Sequence, residues 1–297
     1  PRLPVVLTPY HHFFRTPSFR WWRSVLALLM GALLFGLVNL LVALPVVVYE
    51  VVTGARSSER LAEGEIEVTP LLFAANNVAI ALTVPIALLT MWACYGMRPR
   101  WLSSVVGGVR WGFLLRCLAA CAVPYGILLA LELGQGVGEW RWQPWSLFMI
   151  GTIVLTTPFQ AAGEEYGLRG LYNRAVAAWI PQRLTGALVG GLVSSLVFMA
   201  LHGAGDLWLN LFYFGFGVTA CRLAYRTGGL EATVSLHVVN NLASEVSLPF
   251  VDISDIFNRS AGTASAVDIA PQVGVVLIAW ALMELVARLS RVVQETA

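Results

Sequence analysis

SLFMIGTIVLTTPFQAAGEEYGLR, residues 146–169, decides how this chain is read: eighteen residues without a charge lead into Glu164, Glu165 and Arg169. An uncharged run of that length reaches across hydrocarbon as a helix. A titratable side chain at that depth costs several kcal/mol unless it is paired or faces water, so a carboxylate pair there is a functional candidate by default. The other ionisable residues that matter at such depth are His202 and His237, and the five residues together with Asn241 read as parts of one site.

Outward from this stretch the same composition recurs. The chain is 58% hydrophobic and 12% charged over 297 residues, about half the charge of an ordinary soluble domain. Apolar runs at 24–50, 71–95, 112–133, 146–166, 187–204, 207–224, 230–250 and 271–288 predict an all-α, polytopic membrane protein of about eight transmembrane helices. It reads as a single membrane domain over residues 1–297, with its motif region at 146–250. All 19 basic residues are arginine. With the N-terminus inside, 15 of them fall in inner segments, and only Arg56, Arg60, Arg141 and Arg259 fall outside. This asymmetry predicts cytoplasmic N- and C-termini. The net charge of +2 reflects those rims and gives no reason to expect nucleic acid.

Arg20-Trp21-Trp22-Arg23 reads as an interfacial anchor before a retained first helix, not a cleaved leader. Cys94, Cys117, Cys121 and Cys221 form no C-x-x-C pair and read as packing thiols. The His11-His12 doublet reads as an interfacial tail feature. The outer loops, with Glu59, Glu63, Glu65 and Glu67 in one and Asp252, Asp255 and Asp268 in the other, read as solvating segments, and Asn258-Arg259-Ser260 is formally a glycosylation acceptor. Asp206 is placed to cap the helix that follows it, and Glu284 to pair with Arg288.

Three pieces carry chemistry: Glu164-Glu165-Tyr166-Gly167-Leu168-Arg169, Phe198-Met199-Ala200-Leu201-His202, and His237-Val238-Val239-Asn240-Asn241. On a helix Glu165 and Arg169 can pair, which leaves Glu164 about 100° around and free to point elsewhere. His237 and Asn241 share a face and can converge on one ligand atom. Hydrolysis of an amide needs a base for water, donors for the oxyanion and a proton for the leaving nitrogen, roles open to Glu164, His202 and the His237/Asn241 pair. Helix rise puts Glu164 and His202 at one level if the segment around 170–190 projects into the cytoplasm on its Arg174 and Arg183, with Gly203 to Asp206 forming a turn whose backbone must be satisfied below the outer surface.

E-E-x-x-x-R, F-x-x-x-H and H-x-x-x-N, in that order on successive membrane helices, resemble the CAAX protease and bacteriocin-processing group of intramembrane peptidases, also called the Abi family. The resemblance implies an eight-helix fold with an intramembrane cavity open to the cytoplasm. It implies that Glu164 activates water with help from His202, that His237 and Asn241 hold the oxyanion, and that Glu165 and Arg169 support them. Where family members commonly carry Phe before the motif arginine, this chain has Leu168 preceded by Gly167. The expected activity is hydrolysis of a peptide bond in a membrane-associated peptide or protein, lipidated or not, in contact with membrane lipid, at a bacterial plasma membrane. The expected mechanism uses no cofactor; if zinc is bound, the ligands are Glu164, His202 and His237. The alternatives are a catalytically silent family member acting as a peptide-binding, immunity or scaffold protein, and a proton-coupled transporter, for which no inverted repeat is evident.

Overall fold

In hydrocarbon every backbone N–H and C=O must be satisfied within the protein, and a helix does this segment by segment. The computed structural model describes residues 3–62, 67–136, 140–254, 256 and 259–296, and these are mostly helical. Arg2, Glu63, Glu65, Asp255 and Asn258, each part of an expectation above, lie outside the described residues. In chain order the helices are α1 (Trp21–Val52), α2 (Ser58–Ala62), α3 (Pro70–Ala81), α4 (Thr83–Tyr95), α5 (Trp111–Gly134), α6 (Ser146–Glu165), α7 (Asn173–Ala177), α8 (Arg183–Leu201), α9 (Leu207–Thr227), α10 (Glu231–Ser244) and α11 (Ala266–Leu289). A π-helical stretch, Tyr166–Tyr172, joins α6 to α7, so the motif helix runs on to Ala177 instead of ending near 166.

Among the described residues seven helical segments are long and apolar enough to cross a membrane. The eighth expected crossing, 230–250, contracts to the 14 residues of α10, about 21 Å at 1.5 Å per residue. An even number of crossings is nevertheless required. Strand β1 (Thr8–Pro9) pairs antiparallel with β2 (Glu295–Thr296), so the two ends of the chain meet on one face. The short α10 therefore counts as a crossing, enclosed by α5, α6 and α9. Segments expected on the inner side bind one another: Arg110 donates to the Thr227 carbonyl at 2.8 Å and pairs with Glu231 at 2.6 Å, and Val105 N–H donates to Gly228 at 2.9 Å. Those expected outside do likewise, Val68 N–H donating to Ser254 at 3.0 Å.

Two features bring α3 and α4 onto the motif helix. Pro85 removes the N–H that would bond the Ala81 carbonyl, and the helix breaks at Leu82. Gly163 lets that break approach closely, since a Cβ there would sit 2.1 Å from the Ile80 carbonyl oxygen. The Gly167 of the motif serves the same contact, its missing Cβ leaving room for the Thr83 methyl.

Several expectations need revision. Arg174 is not a solvated rim residue but fully buried. His11 and His12 are not a loose tail feature either; both are buried in the segment that packs against α7, α8 and α9. The outer loop does more than solvate: the Arg259 carbonyl accepts from Gly205 and Asp206 N–H at 2.8 and 3.2 Å, which satisfies the turn below α8. Asp206 accepts from Trp208 and Leu209 N–H as the cap of α9. Glu284 pairs with Arg288 at 3.7 Å and also with Arg222 at 3.6 Å. The four cysteines are buried and unbridged.

Candidate active site

The two motif carboxylates part company by one residue's rotation. Glu165, fully buried, accepts from Arg169 Nη1 at 3.0 Å and from His237 Nδ1 at 2.8 Å. Glu164 keeps 17% of its side chain exposed and stands 3.8 Å from His237 Nε2. Glu164 thus does not point away from the ion pair, as the helical rotation alone implies; both carboxylates flank the same imidazole, one at each ring nitrogen. Only Glu164 retains surface from which to meet water or substrate.

The π stretch that begins at Tyr166 belongs to this arrangement. Widening the helix after Glu165 disturbs its carbonyl ladder, a feature concentrated at functional sites, and Ser194 Oγ supplies a donor to the Leu168 carbonyl at 3.1 Å. Arg169 is fully buried, with its guanidinium 4.5 Å from the Phe198 ring centroid. Phe198 also lies 4.4 Å from the His202 ring and 5.7 Å from that of His237. The Phe198 ring therefore packs against both imidazoles and covers the arginine as well.

His202, at the end of α8, has its Nδ1 bonded to the Phe198 carbonyl at 2.7 Å. A carbonyl only accepts, so Nδ1 carries a proton, and in the neutral ring Nε2 keeps its lone pair. His237 follows the same rule, because the ionised Glu165 that it bonds is also acceptor-only. In its neutral form His237 presents a lone pair at Nε2; it donates there only as imidazolium. Asn241 does not stand free beside His237 either. Its Nδ2 donates to Gln160 Oε1 at 3.0 Å, and its Oδ1 accepts from Asn240 at 3.1 Å.

Four residues outside the motifs join the site. Gln160, one turn before Glu164, donates to that carboxylate. Tyr213 stacks on His202 with ring centroids 3.9 Å apart. Arg259 donates to the His202 carbonyl at 2.9 Å and lies over Tyr213. Glu245, one turn beyond Asn241, accepts from Thr157 at 2.6 Å. Gln160 and Glu245 sit four residues from motif members on the faces that carry them, a spacing legible in the sequence. Tyr213 and Arg259 carry no such signal.

Helices of membrane length closing around carboxylates, imidazoles and amides define an integral membrane protein with an intramembrane ionisable site. Residues 143–243 match the family model described as Rce1-like, type II CAAX prenyl endopeptidase Rce1-like. That segment, about a third of the chain, contains all six motif residues, and over it the chain is similar to the CAAX protease family. Comparison with curated proteins and with solved structures gave no match.

Proposed function

We propose that this protein is an intramembrane endopeptidase that hydrolyses a peptide bond of a membrane-associated peptide or protein using water activated by Glu164. The family match supports the coarse activity, an intramembrane CAAX endopeptidase. The assignment of roles rests on one observation: of two adjacent carboxylates, Glu165 is sealed in an ion pair and Glu164 is not. Glu164 takes a proton from water as the water oxygen attacks the carbonyl carbon, and returns it to the leaving nitrogen as the C–N bond breaks. The Nε2 lone pair of His202 helps hold that water. The second N–H of Asn241 and the imidazolium form of His237 face the developing oxyanion. Glu165 and Arg169 fix His237. The arginine-rich face is the cytoplasmic one, and a substrate, lipidated or not, reaches Glu164 from that side or from the inner leaflet.

The test uses an internally quenched peptide ending in a prenylated cysteine and three further residues, with the purified protein in lipid nanodiscs. Glu164→Gln lowers the cleavage rate by about 10²–10⁴ while the thermal midpoint stays near that of the parent. Cleavage by the variant at the parent rate removes Glu164 as the base.

A zinc-dependent reading draws on a specific observation, the Nδ1 bonds of His202 and His237, which in the neutral rings leave both Nε2 lone pairs available, as the outer hydrogen bonds of zinc-ligating histidines do. Among the described residues no group of three His, Cys, Asp or Glu is gathered at metal-binding spacing, so the fit rests on the tautomers alone. Chelation decides between the readings: in the metal-free one, activity survives it. Loss of about one zinc per chain together with activity, and recovery of both on readdition, replaces it with the metal mechanism.

A further inference from the structure

Between α6 and α10 runs a file of hydrogen bonds with a single direction. Tyr125 Oη donates to Asn240 Oδ1 at 3.0 Å, Asn240 Nδ2 donates to Asn241 Oδ1 at 3.1 Å, Asn241 Nδ2 donates to Gln160 Oε1 at 3.0 Å, and Gln160 Nε2 donates to the Glu164 carboxylate. The direction follows from its end. An ionised carboxylate has only acceptors, so Gln160 must turn its NH2 to Glu164 and its oxygen to Asn241. Asn241 must then answer with its own NH2, which turns its oxygen toward Asn240. Asn240 answers with NH2 in turn, and its oxygen is left for the tyrosine hydroxyl. Each amide in such a file polarises the next.

We propose that Gln160 is a positioning residue for the hydrolytic site: it holds the Glu164 carboxylate and, through the same amide, locks Asn241 in the orientation that offers N–H, not oxygen, to the oxyanion. The inference rests on the endopeptidase reading above. An amide side chain free to flip would present oxygen to developing negative charge for part of the time, and would repel what it is meant to stabilise. With one Nδ2 hydrogen and the oxygen of Asn241 committed to neighbours, the remaining hydrogen is the only group it can present. Gln160 is more than nine-tenths buried, at 7% exposure, and both ends of its amide are engaged. It touches neither the water nor the substrate itself. The file exists because α6 and α10 lie against each other with Gln160 and Glu164 one turn apart on one helix, facing Asn241 and His237 one turn apart on the other.

The test compares Gln160→Leu, Gln160→Glu, Asn241→Ala and the Gln160→Leu/Asn241→Ala double variant on the quenched prenyl-peptide, with Glu164→Gln as reference. Gln160→Leu, close in volume but without polar atoms, lowers kcat by about 10- to 100-fold, part of the 10²–10³ typical of a lost oxyanion donor, while KM stays within about threefold of the parent. Gln160→Glu still accepts from Asn241 but offers nothing to Glu164, and does not restore kcat. Because Gln160 acts in part through Asn241, the double variant falls short of the product of the single effects. A merely structural Gln160 gives another pattern: kcat per folded molecule at the parent value with a lowered thermal midpoint, or a full multiplicative loss in the double variant, and either outcome overturns the inference. If Glu164→Gln is dead and Gln160→Leu is fully active, only the role of Gln160 falls. If Glu164→Gln cleaves at the parent rate, the endopeptidase assignment of Glu164 falls and takes this inference with it.

Discussion

Arg169 and Arg174 lie five residues apart on one continuous helix, both fully buried, and the protein treats them in opposite ways. Arg169 faces a carboxylate 3.0 Å away, which in turn holds the His237 ring. Arg174 has no carboxylate in an ion pair with it among the described residues. Its guanidinium lies 4.5 and 4.2 Å from the ring centroids of Tyr10 and Phe14, and Nη1 donates to the Trp101 carbonyl at 2.9 Å. One buried cation is neutralised by charge and so belongs to a site whose other members are ionisable. The other is held by aromatic faces and a backbone dipole and so belongs to packing: it pins the N-terminal segment to the end of the motif helix. Burial alone does not mark a functional charge; what neutralises it does.

The largest effect is expected at Arg169. Arg169→Met strands the Glu165 carboxylate in the core, where an uncompensated buried charge costs about 3–5 kcal/mol, and it unsettles the group that holds the His237 ring. The thermal midpoint falls sharply and cleavage of the prenyl-peptide is lost. A variant as stable as the parent shows that the pair is not a buried ion pair in the working protein.

Arg174→Met tests the other half of the comparison. The substitution removes cation–π contacts and one hydrogen bond, but it leaves no opposite charge behind, and it ends the desolvation of the guanidinium. The net loss is about 1–2 kcal/mol, read as a smaller drop in thermal midpoint, with kcat per folded molecule within about twofold of the parent. A tenfold fall in kcat would erase the distinction between the two arginines.

An effect no larger than that of Arg174→Met lies in the segment that covers Arg174. His11 packs on Tyr225, and its Nε2 bonds the Arg183 carbonyl at 2.9 Å; burial pushes its imidazole down to about 4. An unfolded histidine binds its proton near pH 6.5, so between pH 6.5 and 4 the unfolded segment holds more protons than the folded one, and stability drops as pH falls. Above pH 6.5 the contribution is intact; by pH 5 the loss is on the order of 1–2 kcal/mol. Limited proteolysis of residues 3–19 at pH 7.5 and 5 reads it, and His11→Gln flattens the difference. Equal protection of the parent at both values shows that His11 is not held neutral.

The contrast also sorts what was legible beforehand. Glu165 with Arg169 could be paired on paper because a spacing of four on a helix is a contact rule. That rule also placed Glu284 beside Arg288, as capping chemistry placed Asp206 at a helix start. It failed for Arg174, because Tyr10, Phe13 and Phe14 are more than 150 residues away in sequence and reach it only through the return of the N-terminal segment. It misjudged Glu164 as well, since the position of His237 between the carboxylates depends on how α10 docks against α6.

The sequence by itself determined the all-helical membrane architecture and the three motifs, because hydropathy sets which segments enter hydrocarbon and helical periodicity sets which side chains share a face. It also determined which residue types were available for chemistry. Tertiary structure alone decided that the short α10 counts as a crossing, that the helix widens after Glu165, that one imidazole is flanked by two carboxylates, and that Gln160 joins Glu164 to Asn241. Each of these is a relation between helices, set by where Gly163 lets α3 and α4 close on α6 and by how α10 lies against it. Close packing fixes such distances to within an ångström, and no local rule of the chain contains them.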